Sequence, residues 1–240
     1  MSEPLKFLAA LLVCAAGLMG FAQTSQADDN AVTAIDIALE PDATMIQHAK
    51  AANALLLKDF PQGFALDDTH HPHVTMLQQF VVTADLDKIY AAANNVLAAA
   101  QPTGWKLNAI KYYYIPDDKL GLGGIVVEPT SQLRQLQDQL IEAIAPFMTK
   151  NGMPAAFVSN EGGTDIQKSL IEYVANFTTV AAGEKFNPHV TIGVGNAAYL
   201  DQLLAQPFGA FTFSPVGASV YQLGTFGTAR KELKALALNP

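Results

Sequence analysis

The hydrophobic positions of this chain switch between period two and period 3.6, and the switches mark its elements. Residues 31–39, AVTAIDIAL, partly alternate and predict a strand, stopped by Pro41 and Asp42. Residues 43–60 carry Met45, Ile46, Ala49, Ala52 and Leu56 at helical spacing, and Pro61-Gln62-Gly63 breaks that helix. Residues 72–82 predict a strand. Residues 84–100 are Ala-rich and helical, ended by Pro102 and Gly104. Residues 105–115 and 121–127 predict two strands around a turn at Pro116-Asp117-Asp118. Thr130 or Ser131 can cap a helix over 132–148, with Asn151-Gly152 as its stop. Residues 159–164, SNEGGT, are the most linker-like stretch. A helix over 165–180, a strand over 187–194, a short helix over 197–204 and two or three strands over 208–238 complete the pattern.

Two departures precede and accompany this series. Residues 7–22 form an apolar run behind Lys6, followed by Gln23 and the small-x-small triplet Ser25-Gln26-Ala27. The run is shorter than the roughly 20 residues that span a bilayer. It predicts a signal peptide over 1–27 and a single domain over 28–240, periplasmic or secreted. The competing reading is an uncleaved anchor. Val13 stands where a small residue would precede a lipidated Cys14. Cys14 is the one cysteine, so the remaining chain has no thiol chemistry. The net charge of −8 changes the list of partners: with no basic block, binding along a nucleic-acid backbone is disfavoured, whereas one small phosphate group needs only a few local donors. No stable membrane partner after cleavage, no cofactor and a monomer are expected.

The candidate chemistry lies in two strands. Residues 71–77 read HPHVTML and residues 187–193 read NPHVTIG. On a strand, His73 and Thr75 share one face while Val74 and Met76 point behind it. His189 and Thr191 repeat this against Val190 and Ile192. Two imidazoles and two hydroxyls facing one cleft suit phosphodiester cleavage. A neutral histidine takes a proton from the attacking water, a protonated one supplies the leaving oxygen, and the threonines donate to the phosphate oxygens. Histidine suits both roles because its ordinary pKa is about 6.5. No metal is required.

These residues resemble the two-histidine (2H) phosphoesterase superfamily, whose hallmark is a pair of His-x-Thr/Ser motifs on strands about a hundred residues apart. Residues 221–238 also resemble its closing strands. The resemblance implies an α/β (α+β) fold of two pseudo-symmetric lobes, each a mainly antiparallel sheet with helices, around a central cleft. It implies His73 and His189 as acid and base, Thr75 and Thr191 as phosphate ligands, and a small substrate such as a 2′,3′-cyclic nucleotide. RNA-acting bacterial members often carry a basic residue just after the second motif. Gly193-Val194-Gly195 stands there instead, which argues against RNA ligation or tRNA processing.

Other residues have weaker claims. Alternation puts Tyr113 opposite Tyr112 and Tyr114, and the latter pair is expected to contact substrate. Lys111 and Arg230 are expected phosphate neighbours. His70, His71 and His73, with Asp67 and Asp68 nearby, offer a metal-dependent alternative. Binding of a nucleotide or phosphate without turnover is the other. Gly121 to Gly124 lack the lysine and the strand-loop-helix setting of a phosphate loop and predict a turn.

Overall fold

The computed structural model describes residues 31–158 and 166–238; the segment read as a signal peptide and the SNEGGT stretch lie outside these residues. The elements are β1 (Val32–Pro41), α1 (Ala43–Asp59), β2 (Val74–Val82), α2 (Leu86–Ala100), β3 (Leu107–Asp117), β4 (Leu120–Val127), α3 (Ser131–Ile144), β5 (Met148–Thr149), α4 (Lys168–Ala175), α5 (Phe177–Val180), β6 (His189–Asn196), α6 (Ala197–Ala205), β7 (Phe211–Phe213), β8 (Pro215–Leu223) and β9 (Ala229–Leu236). They build two antiparallel sheets with helices, ordered β5-β2-β1-β8-β9 and β6-β4-β3-β7. Among the described residues no helix is long and apolar enough to cross a membrane.

The sheets do not divide the chain at its middle. The five-stranded sheet takes β8 and β9 from the C-terminal end, and the four-stranded sheet takes β3 and β4 from the first half. Each sheet nevertheless receives one motif strand, β2 or β6, and the two pack against each other. One apolar core runs through both, with Ile35, Ile37 and Leu39 of β1, Met76 and Leu77 of β2, and Val190 and Ile192 of β6. β1 lies centrally, hydrogen-bonded to β2 and β8, so residues 33–39 are all buried.

Local chemistry explains the ends. Asp42 caps α1 by accepting from the amides of Thr44 and Met45, and its other oxygen accepts from the Ser214 amide at 2.9 Å, joining the helix start to β8. Thr130 caps α3 through the Leu133 amide. The helix expected over 132–148 stops at Ile144, because Pro146 has no N–H to continue the ladder. Met148 and Thr149 pair with Val81 and Phe80 instead. The helix expected to reach Val180 breaks at Asn176, whose side-chain amide donates back to the Glu172 carbonyl at 2.8 Å. The turn expected at Pro116 moves on to Asp118, which takes a positive φ of 52°, and Pro116 pairs with Gly121 inside the hairpin.

Candidate functional site

Both motifs are built by the same local devices. Pro72 and Pro188 set the chain extended, and each following histidine donates its Nδ1–H to the carbonyl two residues earlier. His73 reaches His71 at 2.6 Å and His189 reaches Asn187 at 2.7 Å. A carbonyl can only accept, so the hydrogen sits on Nδ1 and each Nε2 is left for other partners. Val74 and Val190 are buried behind them, as alternation requires. One residue further on, both strands bulge. Ala38 pairs with Thr75 and Ile37 with Leu77, so Met76 is the extra residue; Gly124 pairs with Thr191 and Gly123 with Gly193, so Ile192 is its counterpart. His73, Thr75, His189 and Thr191 all line one cavity of about 550 Å³.

The surroundings of the two histidines differ sharply. Because of the bulge at Met76, Thr75 and Gln78 reach the same carboxylate despite their odd spacing. Asp36 Oδ2 accepts from Thr75 Oγ1 at 2.8 Å and Gln78 Nε2 at 2.9 Å, and lies 3.3 Å from His73 Nε2. Asp36 is 0% exposed and its Oδ1 has no hydrogen-bond partner among the described residues. Burial alone would pull His73 down. The Asp36 carboxylate beside Nε2, the His71 carbonyl and the charge of Glu40 outweigh it and hold His73 above the ordinary imidazole value. His189 has no such neighbour. Burial pushes it down to about 4; the Asn187 carbonyl and Asp36 oppose this, and the charge of His73 adds to it. The two sites therefore bias their rings in opposite directions: Asp36 favours the charged form of His73, and burial favours the neutral form of His189.

His189 packs instead on Tyr113, whose ring meets it edge-on with centroids 4.8 Å apart. Gly124 makes this contact possible, since a Cβ there would come within 2.5 Å of Tyr113 Cε1. Tyr113 therefore lies across β4 and reaches β6. Burial pushes its hydroxyl far above the ordinary value, so it stays protonated.

The structure corrects the expected substrate contacts. Tyr113 faces the cavity, not Tyr112 or Tyr114. Tyr112 packs edge-on against Phe208 and Tyr114 donates to Asp201 of α6 at 2.7 Å. The alternation was legible; which face met the cavity depended on where β6 and α6 packed. Lys111 is exposed and Arg230 donates to the Thr69 carbonyl at 2.9 Å; neither lines the cavity. Among the described residues, the lining cation is Lys185, which the sequence reading missed. Tyr173, Phe177 and Phe226 supply much of the apolar wall. Phe226 holds a φ of 61° while 42% exposed, a costly conformation for an aromatic residue at a cavity edge.

The histidine cluster divides between two environments. His70 stacks on Phe64 at 4.4 Å, whereas His71 and His73 lie beside Tyr221. Among the described residues no group of three or more His, Cys, Asp or Glu side chains is gathered as a metal site. Gly193 also has a structural reason. Its φ is 127°, and a Cβ would come within 2.7 Å of Asn53 Nδ2, which donates to the Ile192 carbonyl. A long basic side chain has no seat there.

The 2′-5′ RNA ligase superfamily model matches residues 39–216. No curated protein matches the chain. Among solved structures, TT0787 of Thermus thermophilus is similar at 13% identity, with 86% of this chain and 98% of that one covered and a TM-score of 0.50. E. coli LigT complexed with 3′-AMP is similar at 16% identity over 87% of this chain and 99% of that one, with a TM-score of 0.47. With the family model spanning well over half of the sequence and both His-x-Thr strands opening on one cavity, this chain belongs to the 2′-5′ RNA ligase superfamily of two-histidine phosphoesterases.

Proposed function

We propose that the chain is a metal-independent phosphodiesterase that hydrolyses a small cyclic phosphodiester, such as a 2′,3′-cyclic nucleotide, outside the cytoplasm. The observation that carries this reading is the pair of backbone-tethered histidines lining a single cavity, one beside a buried carboxylate and the other without one. In the reaction, His189 Nε2 takes a proton from water as the water oxygen bonds to phosphorus. The bond from phosphorus to one ribose oxygen breaks, and His73 gives its proton to that oxygen. The product is a phosphomonoester, and solvent exchange restores both rings. The Thr191 hydroxyl donates to a non-bridging oxygen as charge develops there. The apolar wall around Tyr173 and Phe226 suits a nucleoside-sized group, and the sparse positive charge fits a short substrate better than a polynucleotide.

The test is hydrolysis of a panel of 2′,3′-cyclic nucleotides in EDTA, beside His73→Ala and His189→Ala. Each variant should lose about 10²–10⁴-fold in kcat, the usual contribution of a general acid or base. Turnover that survives loss of either histidine, or that EDTA abolishes, overturns the mechanism. Binding without product in the wild-type protein selects the ligand-binding alternative.

A further inference from the structure

The two motifs share their tetrapeptide, their histidine tether and their bulge, so their difference must come from the strands beside them. The ladders can be aligned on the bulges. In the first, Asp36 pairs with Gln78 just beyond the bulge; at the equivalent place in the second, Leu122 pairs with Val194. A buried carboxylate and its amide partner on one side thus face two aliphatic side chains on the other. Leu122 lines the same cavity.

We propose that Asp36 is the positioning residue that makes the two motifs unequal, holding His73 as proton donor through Nε2 and leaving proton acceptance to His189. This rests on the phosphodiesterase reading and deepens it. Asp36 does not line the cavity; it acts through His73 and Thr75. Its fully shielded carboxylate receives two neutral donors, and its second oxygen has none among the described residues. A buried carboxylate so incompletely satisfied depends on the neighbouring imidazolium for its remaining stabilisation. The pair therefore holds a proton next to the cavity. A role limited to joining strands would need no charge here, as the apolar pair at Leu122 and Val194 shows.

Other charged or titratable groups also face His73. Glu40 stands on the same strand as Asp36, His71 on the adjoining loop, Tyr221 on β8 and His189 on β6. Tyr173 of α4 feels the Asp36 charge from across the cavity. Asp36 alone among these makes an ion-pair contact with the His73 ring.

The experiment follows each histidine by its Cε1 resonance against pH in the wild-type protein and in Asp36→Asn, which keeps the shape and removes the charge. His73 should titrate above the ordinary imidazole value in the wild type. In the variant it should fall by about one to three pH units, the usual effect of removing one close opposite charge. The basic limb of kcat/KM should move down with it. An unmoved His73 and an unmoved limb in a folded variant would reduce Asp36 to a strand-joining residue. Should Asp36→Asn not fold, the wild-type titration decides alone: a His73 at or below the ordinary value overturns the proposal. Thr75→Val, which removes a donor but keeps the carboxylate, should leave His73 high. The two readings fail separately. A His73 that responds to Asp36 in a protein that turns over no diester sinks the phosphodiesterase reading; turnover with an unresponsive His73 sinks the assignment to Asp36.

Discussion

At the scale of single residues, the chemistry depends on which proton each group already holds. His189 is depressed to about 4 and must be neutral to accept, so kcat/KM should fall on the acid side only as pH drops through about 4. His73 is raised and must be charged to donate, so activity should fall on the basic side above about 6.5, the ordinary value. The expected profile is a broad bell, and a narrow optimum centred on that ordinary value would contradict it. The threonines should also differ. Thr75 already gives its one hydroxyl proton to Asp36, whereas the Thr191 hydroxyl makes no hydrogen bond among the described residues. Thr191→Val should therefore cost about 10²-fold in kcat, the scale of one lost oxyanion donor, and Thr75→Val clearly less. Single-turnover kinetics on both variants measures this.

At the scale of elements, the bulges carry the site. A regular β2 would point Thr75 and Gln78 to opposite faces; the extra residue at Met76 brings both to Asp36 and puts Met76 and Leu77 side by side in the core. In β6 the same irregularity needs Gly193. Gly193→Ala places a Cβ against Asn53, which also holds the Phe64 carbonyl and the Leu66 amide. It should destabilise by about 1–3 kcal/mol for the backbone conformation alone. Thermal unfolding should show a Tm lower by several degrees, at roughly 2–4 °C per kcal/mol for this size. An unchanged Tm would show that the β4–β6 edge relaxes freely. Gly124→Ala acts on the neighbouring strand. It displaces Tyr113 from His189 and should lower kcat while leaving the overall fold intact by circular dichroism.

At the scale of the whole molecule, the same protons enter the stability curve. His189 takes up its proton in the unfolded chain near 6.5 but in the folded chain only near 4, so stability is lost as pH falls through that window. His70, also lowered to about 4 by burial and then by Arg230, adds to the loss. His73 works in the opposite sense. Its contribution is complete below the unfolded value and disappears as pH rises through its raised folded value. His189→Gln should flatten the fall in Tm between about pH 6.5 and 4; an unchanged slope would show that His189 does not carry it.

Local pattern sufficed for the features with short reach. Alternation placed His73 with Thr75, His189 with Thr191, and Tyr113 opposite its two neighbours, because side-chain direction on a strand is set within a few bonds. Proline and glycine marked most element ends, since they act on their own φ or N–H. Asp36 was not legible in this way. Within AVTAIDIAL it reads as the polar phase of a half-exposed strand, and it is buried only because β2 and β8 flank β1. Gln78 was hidden by a bulge that shifts the alternation, and Lys185 by the path of a loop. The paired motifs therefore announce two equal histidines, whereas their inequality arises from a partner strand about forty residues away from one and an aliphatic ladder beside the other. Burial and charge act through space, and only packing brings those groups within reach.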